Sequence, residues 1–130
     1  MTVEIQETWF SLEECAENPK KLYVFGDNMI RRGNGGQASI RAAENSIGLA
    51  TKRLPTMYDD AFFADRSDEF QVVEKDIEKI LREMKKIKYD TLVLPADGLG
   101  TGLSQMPEKS PRLFEHMVLI LEGKLNIEYR

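Results

Sequence analysis

Apolar residues in this chain fall into short continuous runs separated by longer stripes of helical period. Leu22-Tyr23-Val24-Phe25 and Leu92-Val93-Leu94 are runs too short for a helix, and they predict strands covered on both faces. Val3-Glu4-Ile5 alternates and predicts a weaker strand, with Leu49-Ala50-Thr51 a further short one. Val73, Ile77, Ile80, Leu81, Met84 and Ile87 recur at three- and four-residue spacing, which predicts a helix with one buried face. Ser67 is placed to cap it, Asp68 and Glu69 suit its positive start, and Lys85, Lys86 and Lys88 suit its end. Leu113, Phe114, Met117, Val118, Ile120 and Leu121 predict a second helix, opened by Ser110-Pro111 and stopped by Gly123.

The remaining pattern is less regular. Ser11 caps a short helix that ends near Asn18-Pro19. The Ala-rich stretch 37–46 predicts a helix stopped by Gly48, and Leu125, Ile127 and Tyr129 alternate as an edge strand would. Pro55 to Arg66 has no period and reads as a loop of the lid kind. Within it, Phe62 and Phe63 either fill core or stack on a ligand's base. Strands alternating with helices predict an α/β domain, a mostly parallel sheet with helices on both faces. In such sheets ligands sit beyond the carboxyl ends of the strands.

With 130 residues and 42% hydrophobic content, the chain supports one core, so residues 1–130 are expected to form a single domain. No apolar run approaches the ~20 residues of a membrane helix, and the start of the chain lacks a signal-peptide pattern, so a cytoplasmic protein without a membrane partner is expected. Cys15 is the single cysteine, which fits a reducing compartment and a buried structural thiol. One His and one Cys cannot make a zinc site of the usual N/S type, and neither a metal nor a cofactor is expected. His116, within the second helical stripe, reads as a surface or packing residue.

The net charge of −4 argues against nucleic acid as a partner. Its distribution says more. Lys20, Lys21, Arg31, Arg32, Arg41, Lys52 and Arg53 face only Asp27 and Glu44 between positions 20 and 53, a basic neighbourhood suited to a small anionic ligand. Lys20, Lys21 and Arg53 are expected to be solvated.

That neighbourhood contains a glycine-rich loop, Gly26-Asp27-Asn28 through Gly33-Asn34-Gly35-Gly36, directly after an apolar run. A second such loop, Pro95-Ala96-Asp97-Gly98-Leu99-Gly100-Thr101-Gly102, follows the other run. Glycine lets backbone N–H groups close on a phosphate, because no Cβ blocks the approach or forbids positive φ. Neither loop ends in Gly-Lys-Ser/Thr, and neither gives G-x-G-x-x-G opening onto a helix. A nucleoside triphosphate P-loop and a dinucleotide oxidoreductase are therefore both poorly supported.

Phe25-Gly26-Asp27-Asn28 followed by Arg32-Gly33-Asn34-Gly35-Gly36-Gln37-Ala38 resembles a segment of the macrodomain superfamily, the ADP-ribose-recognising α/β modules. The loop after Pro95 resembles the diphosphate-holding loop of the same superfamily, and small macrodomain-like proteins of phages and bacteria are closer still. The resemblance covers roughly residues 22–48 and 91–121. It implies a single three-layer macrodomain-like domain binding an ADP-ribose-like nucleotide-sugar diphosphate, with hydrolysis of ADP-ribosyl or phosphate linkages as one outcome. Sequestration of a nucleotide-derived signal without turnover, as in a phage or regulatory protein, is the other. The acidic residue that macrodomains place after an early strand to read adenine has no Gly-Asp-Ile-type counterpart here.

By this resemblance the ligand-binding residues are Gly26, Arg32, Gly33, Gly35, Gly36, Gln37, Asp97, Gly98, Leu99, Gly100, Thr101 and Gly102. Ser104 adds a hydroxyl, and Arg31 is an alternative to Arg32. Asp27 and Asn28 are the catalytic candidates, Asn28 on the distal ribose and Asp27 orienting or activating water. Each has a plainer reading as a turn residue, as does Asp97. Valine at Gly35 or Gly100 is expected to block the cradle and leave the fold intact.

Overall fold

A computed structural model describes residues 1–129. Four strands form one sheet: β1 (Thr2–Gln6), β2 (Lys21–Asn28), β3 (Ser46–Lys52) and β4 (Thr91–Pro95). Their order is β1-β4-β2-β3, and every pair is parallel. All four carboxyl ends therefore open on the same side. The β2–β4 ladder runs only from Lys21 and Thr91 to Tyr23 and Val93, whereas β2 stays paired with β3 as far as Asn28. Beyond Tyr23 the two central strands part.

The helices are α1 (Leu12–Glu17), α2 (Ser67–Met84), α3 (Met106–Lys109) and α4 (Pro111–Leu125). Alternate residues of β2 enter different cores, as a two-residue side-chain period requires. Leu22 and Val24 join Leu92 and Leu94 against Val73, Ile77 and Ile80 of α2 and Leu113, Met117 and Leu121 of α4. Tyr23 and Phe25 join Val93 against Phe10, Cys15 of α1, Ala38 and Ile40. Each Val, Leu, Ile, Phe or Met side chain among them, fully buried, contributes roughly 1.5–3 kcal/mol by leaving water. No helix among the described residues is long and apolar enough to cross a membrane.

Several predicted elements change. The helix expected over 37–46 is only a 3-10 turn, Gly36–Ile40, because Asn45 is drawn away to donate its amide to the carbonyls of Cys15, Asn18 and Lys21. Gly48 is not a helix stop but lies inside β3, which extends beyond the predicted 49–51. Ser67 is the first residue of α2 rather than its cap; Arg66 takes that place, its N–H donating to Glu69 Oε1. The helix ends at Met84, which leaves Ile87 fully exposed instead of on the buried stripe.

The predicted edge strand at 125–129 does not form. Leu125 completes α4, which runs past Gly123 to Asn126 in the left-handed region, and Tyr129 donates its hydroxyl to Pro95 O at 2.6 Å. Phe62 and Phe63 are buried, in a segment with its own short 3-10 turn at Asp59–Ala61. Asp65 closes that segment by accepting the N–H groups of Arg112 and Leu113 at the start of α4. Arg53 is not solvated: it pairs with Asp68 and with the fully buried Glu69, which stitches the same segment to α2. Lys21 pairs with Glu4 across the sheet.

Candidate functional site

A cleft of about 540 Å³ lies across the carboxyl ends of all four strands. Gln6 closes β1 at one end of it, Thr51 and Lys52 close β3 at the other, and Asn28 and Pro95 close the central pair. Both glycine loops line this one cleft. A parallel sheet enforces that convergence, since each loop leaves its strand on the same side.

The first loop is held from below by charge. Asp27 is buried and accepts two bonds from Arg41, Nη1 to Oδ2 at 2.9 Å and Nη2 to Oδ1 at 2.5 Å. Arg31 Nη1 stands 3.7 Å from Oδ2, and the Asn28 N–H donates to Oδ1. Arg31 also pairs with Asp76, whose other oxygen accepts the Ala50 N–H on the sheet edge. Arg41 continues upward, its Nε donating to Gly33 O at 2.9 Å. Asn28 closes the turn on itself, donating to Arg32 O at 2.7 Å. Gln37 reaches back to accept the Gly26 N–H at 2.8 Å, so a backbone donor at the cleft floor is already taken. Gly33, Gly35 and Gly36 line the cleft, and nothing stands within 4 Å of a Cβ built on Gly35 or Gly36.

The second loop divides its predicted residues. Asp97, Gly100 and Gly102 line the cleft together with Ser104, whereas Gly98, Leu99 and Thr101 do not. Leu99 is core, 1% exposed. Thr101 turns its hydroxyl back onto Asp97 O and Gly98 O, so it closes the turn instead of offering a donor to a ligand. Gly100 has φ +87° and sits against Met106, which a Cβ would strike. The plainer reading of Asp97 as a turn cap does not hold for its carboxylate, because the turn is closed by backbone: Gly98 N–H donates to Pro95 O. Asp97 is exposed and, among the described residues, its carboxylate has no protein partner.

The sequence gives no site role to Trp9, and it places Lys52 only within the basic neighbourhood, without singling it out. Trp9 is 74% exposed at the β1 end of the cleft, between Gln6, whose amide donates to Thr8 O, and Phe10, which packs edge-on against Tyr23 at 5.3 Å. An anchored loop thus holds the largest apolar side chain in water. Its signal was available, because Trp9 lies three residues beyond the end of β1, on the ligand side of the sheet. Lys52 stands at the β3 end, and burial lowers its pKa. Its Nζ donates to Thr56 O and lies 5.0 Å from the Phe62 ring centroid. Among the described residues, neither Lys52 nor Arg32 has a carboxylate partner, whereas Arg31, Arg41 and Arg53 are paired. The cleft therefore carries two cations without an ion-pair partner on its β2–β3 side, and the carboxylates of Glu7 and Asp97 line it beyond β1 and β4. His116 lies away from it on α4, 2.8 Å from Glu74.

A family model described as Family of unknown function (DUF7831) matches residues 5–119. No curated protein and no solved structure matches the chain. The match takes in both glycine loops, β2, β3 and β4, and most of α4, and on that extent the chain belongs to DUF7831, a family of unknown function.

Proposed function

We propose that this protein is a macrodomain-like, three-layer module that binds an ADP-ribose-like nucleotide-sugar diphosphate across the carboxyl ends of its strands. The convergence of two glycine loops from neighbouring strands on one cleft carries the reading. Gly33, Gly35 and Gly36 on one side and Gly100 and Gly102 on the other bring backbone close to a diphosphate, and Arg32 and Lys52 balance its charge. Trp9 offers a flat face for a base. The buried, unpaired thiol of Cys15 fits a reducing, cytoplasmic setting.

Binding is favoured over turnover by Asp27. Its carboxylate is buried under Arg41, Arg31 and the Asn28 N–H, so it positions the loop and is poorly placed to take a proton from water. If the module hydrolyses its ligand, Asp97 is the carboxylate of the two glycine loops left free to act. Calorimetric titration with ADP-ribose, followed in parallel by the fluorescence of the single tryptophan, tests the reading. Heat release with a change in Trp9 emission supports it. Silence in both, with ADP-ribose and with NAD, rejects it.

A further inference from the structure

We propose that Lys52 contacts the phosphate of the bound ligand and in doing so lets go of the strap formed by residues 54–57, so that filling the cleft frees one of its walls. The proposal rests on the nucleotide-sugar reading above and adds to it what Lys52 gives up on binding, and with that a moving part.

The strap is pinned at both ends and tied only lightly between them. Arg53 N–H donates to Ala61 O at 2.8 Å, Ala61 N–H donates to Tyr58 O at 2.9 Å, and the Arg53 guanidinium is locked by Asp68 and Glu69. Within the strap, Pro55 has no N–H to give. Thr56 Oγ1 is a buried hydroxyl without a partner, and Met57 is 52% exposed. The polar tie at its middle is the ammonium of Lys52, bonded to Thr56 O and 3.5 Å from Met57 Sδ. Leu54, Pro55 and Met57 line the cleft, and Pro55 packs beside Gly33, where a Cβ would meet it at 3.5 Å. The first phosphate cradle, the lysine and the strap are thus neighbours.

The exchange follows from the chemistry of the partners. Lys52 is bound to a neutral carbonyl and a thioether beside an aromatic ring, and no carboxylate competes for it among the described residues. A hydrogen bond from an ammonium to a phosphate oxygen has ionic character at both ends and exceeds one to a neutral carbonyl. A phosphate entering beside Gly33 therefore takes the ammonium, and Thr56 loses its tie. Arg53, one residue on, cannot do the same because two carboxylates hold it.

Hydrogen exchange on the full chain, read at the amides of Leu54 and Ala61, whose hydrogen bonds to Ala61 O and Tyr58 O flank the strap, tests this with ADP-ribose and with inorganic pyrophosphate as probes. In Lys52→Met, which keeps the stem and removes the ammonium, these amides should exchange about tenfold faster without ligand, the loss of one hydrogen bond of ordinary strength. Saturating wild type with either probe should produce a comparable acceleration, and saturating Lys52→Met should add nothing. Lys52→Met should bind both probes about tenfold more weakly, with Lys52→Arg recovering most of that affinity. Unchanged exchange in unliganded Lys52→Met, or slower exchange in liganded wild type, overturns the proposal while leaving the nucleotide reading intact. Failure of wild type to bind either probe overturns both.

Discussion

Asp27 at the end of β2 and Arg41, just past the 3-10 turn, meet in a two-point ion pair that fastens the first glycine loop to the sheet. The pair is roofed by sequence as well as by charge. A Cβ on Gly48 of the neighbouring strand would fall 2.9 Å from the Asp27 Cβ, so that glycine is required for the carboxylate to lie where it does. The Arg41 guanidinium also stands 5.3 Å from the Phe25 ring centroid, which restricts it further.

Asp27→Asn should therefore destabilise the fold by about 3 kcal/mol, because it leaves Arg41 and Arg31 without their shared buried partner. Gly48→Ala should cost a similar amount by pushing the same carboxylate aside. Urea unfolding of both variants checks this. A midpoint within error of wild type for Asp27→Asn would mean that the pair contributes nothing net.

The two glycine loops should respond differently to substitution. Gly35 has ordinary φ and open space around it, so Gly35→Val should leave stability within about 0.5 kcal/mol of wild type while closing the cradle to phosphate. Gly100 combines φ +87° with contact to the fully buried Met106, so Gly100→Val should unfold the second loop and lower stability by about 3 kcal/mol or more. The open space at Gly35 suits the expectation that valine leaves the fold intact, and the clash with Met106 at Gly100 opposes it. Thermal melts paired with ADP-ribose titrations separate the two effects, and undiminished affinity in a folded Gly35→Val protein would remove the cradle from the first loop.

Trp9→Ala should be nearly silent in a melt, since the side chain is mostly in water. It should nonetheless weaken ADP-ribose by about 1–3 kcal/mol, the usual worth of a stacked base, and leave inorganic pyrophosphate unaffected. Equal losses for both ligands would show that Trp9 shapes the cleft and does not hold a base.

Stability should fall at alkaline pH. Burial, reinforced by Glu14, pushes the Cys15 thiol up to about 11 from its ordinary value of 9.0. Burial and the same carboxylate raise the Tyr23 hydroxyl as well. In both cases the unfolded chain releases its proton first, so the native state is favoured below the unfolded pKa and loses that advantage as pH climbs. For Cys15 the loss runs between pH 9 and 11 and is of order 2 kcal/mol. Melts across that window should show a shallower decline for Cys15→Ala. An identical decline would place the effect elsewhere.

Much of the fold was legible in the sequence because burial leaves a period behind. The runs at 22–25 and 92–94 became the two central strands, and the stripes after Ser67 and Ser110 became α2 and α4. The same rule failed where few residues carry the pattern. Ala-rich 37–46 has helix propensity, but Asn45 and Arg41 are worth more in long-range bonds to Lys21 and Asp27 than in another helical turn. Leu125, Ile127 and Tyr129 alternate, yet helix continuation and the Tyr129–Pro95 bond claim them.

The sequence by itself determined that two glycine loops leave strands and that an α/β sheet connects them, since local spacing and turn chemistry are properties of neighbouring residues. Only the tertiary structure decided what each loop residue does. It put Leu99 in the core, turned Thr101 and Asn28 back onto their own loops, and neutralised Asp27 with Arg41. It also left Lys52, Arg32, Trp9 and Asp97 facing the cleft. Whether a charge is paired or free depends on residues brought together from distant parts of the chain, and no local pattern records that.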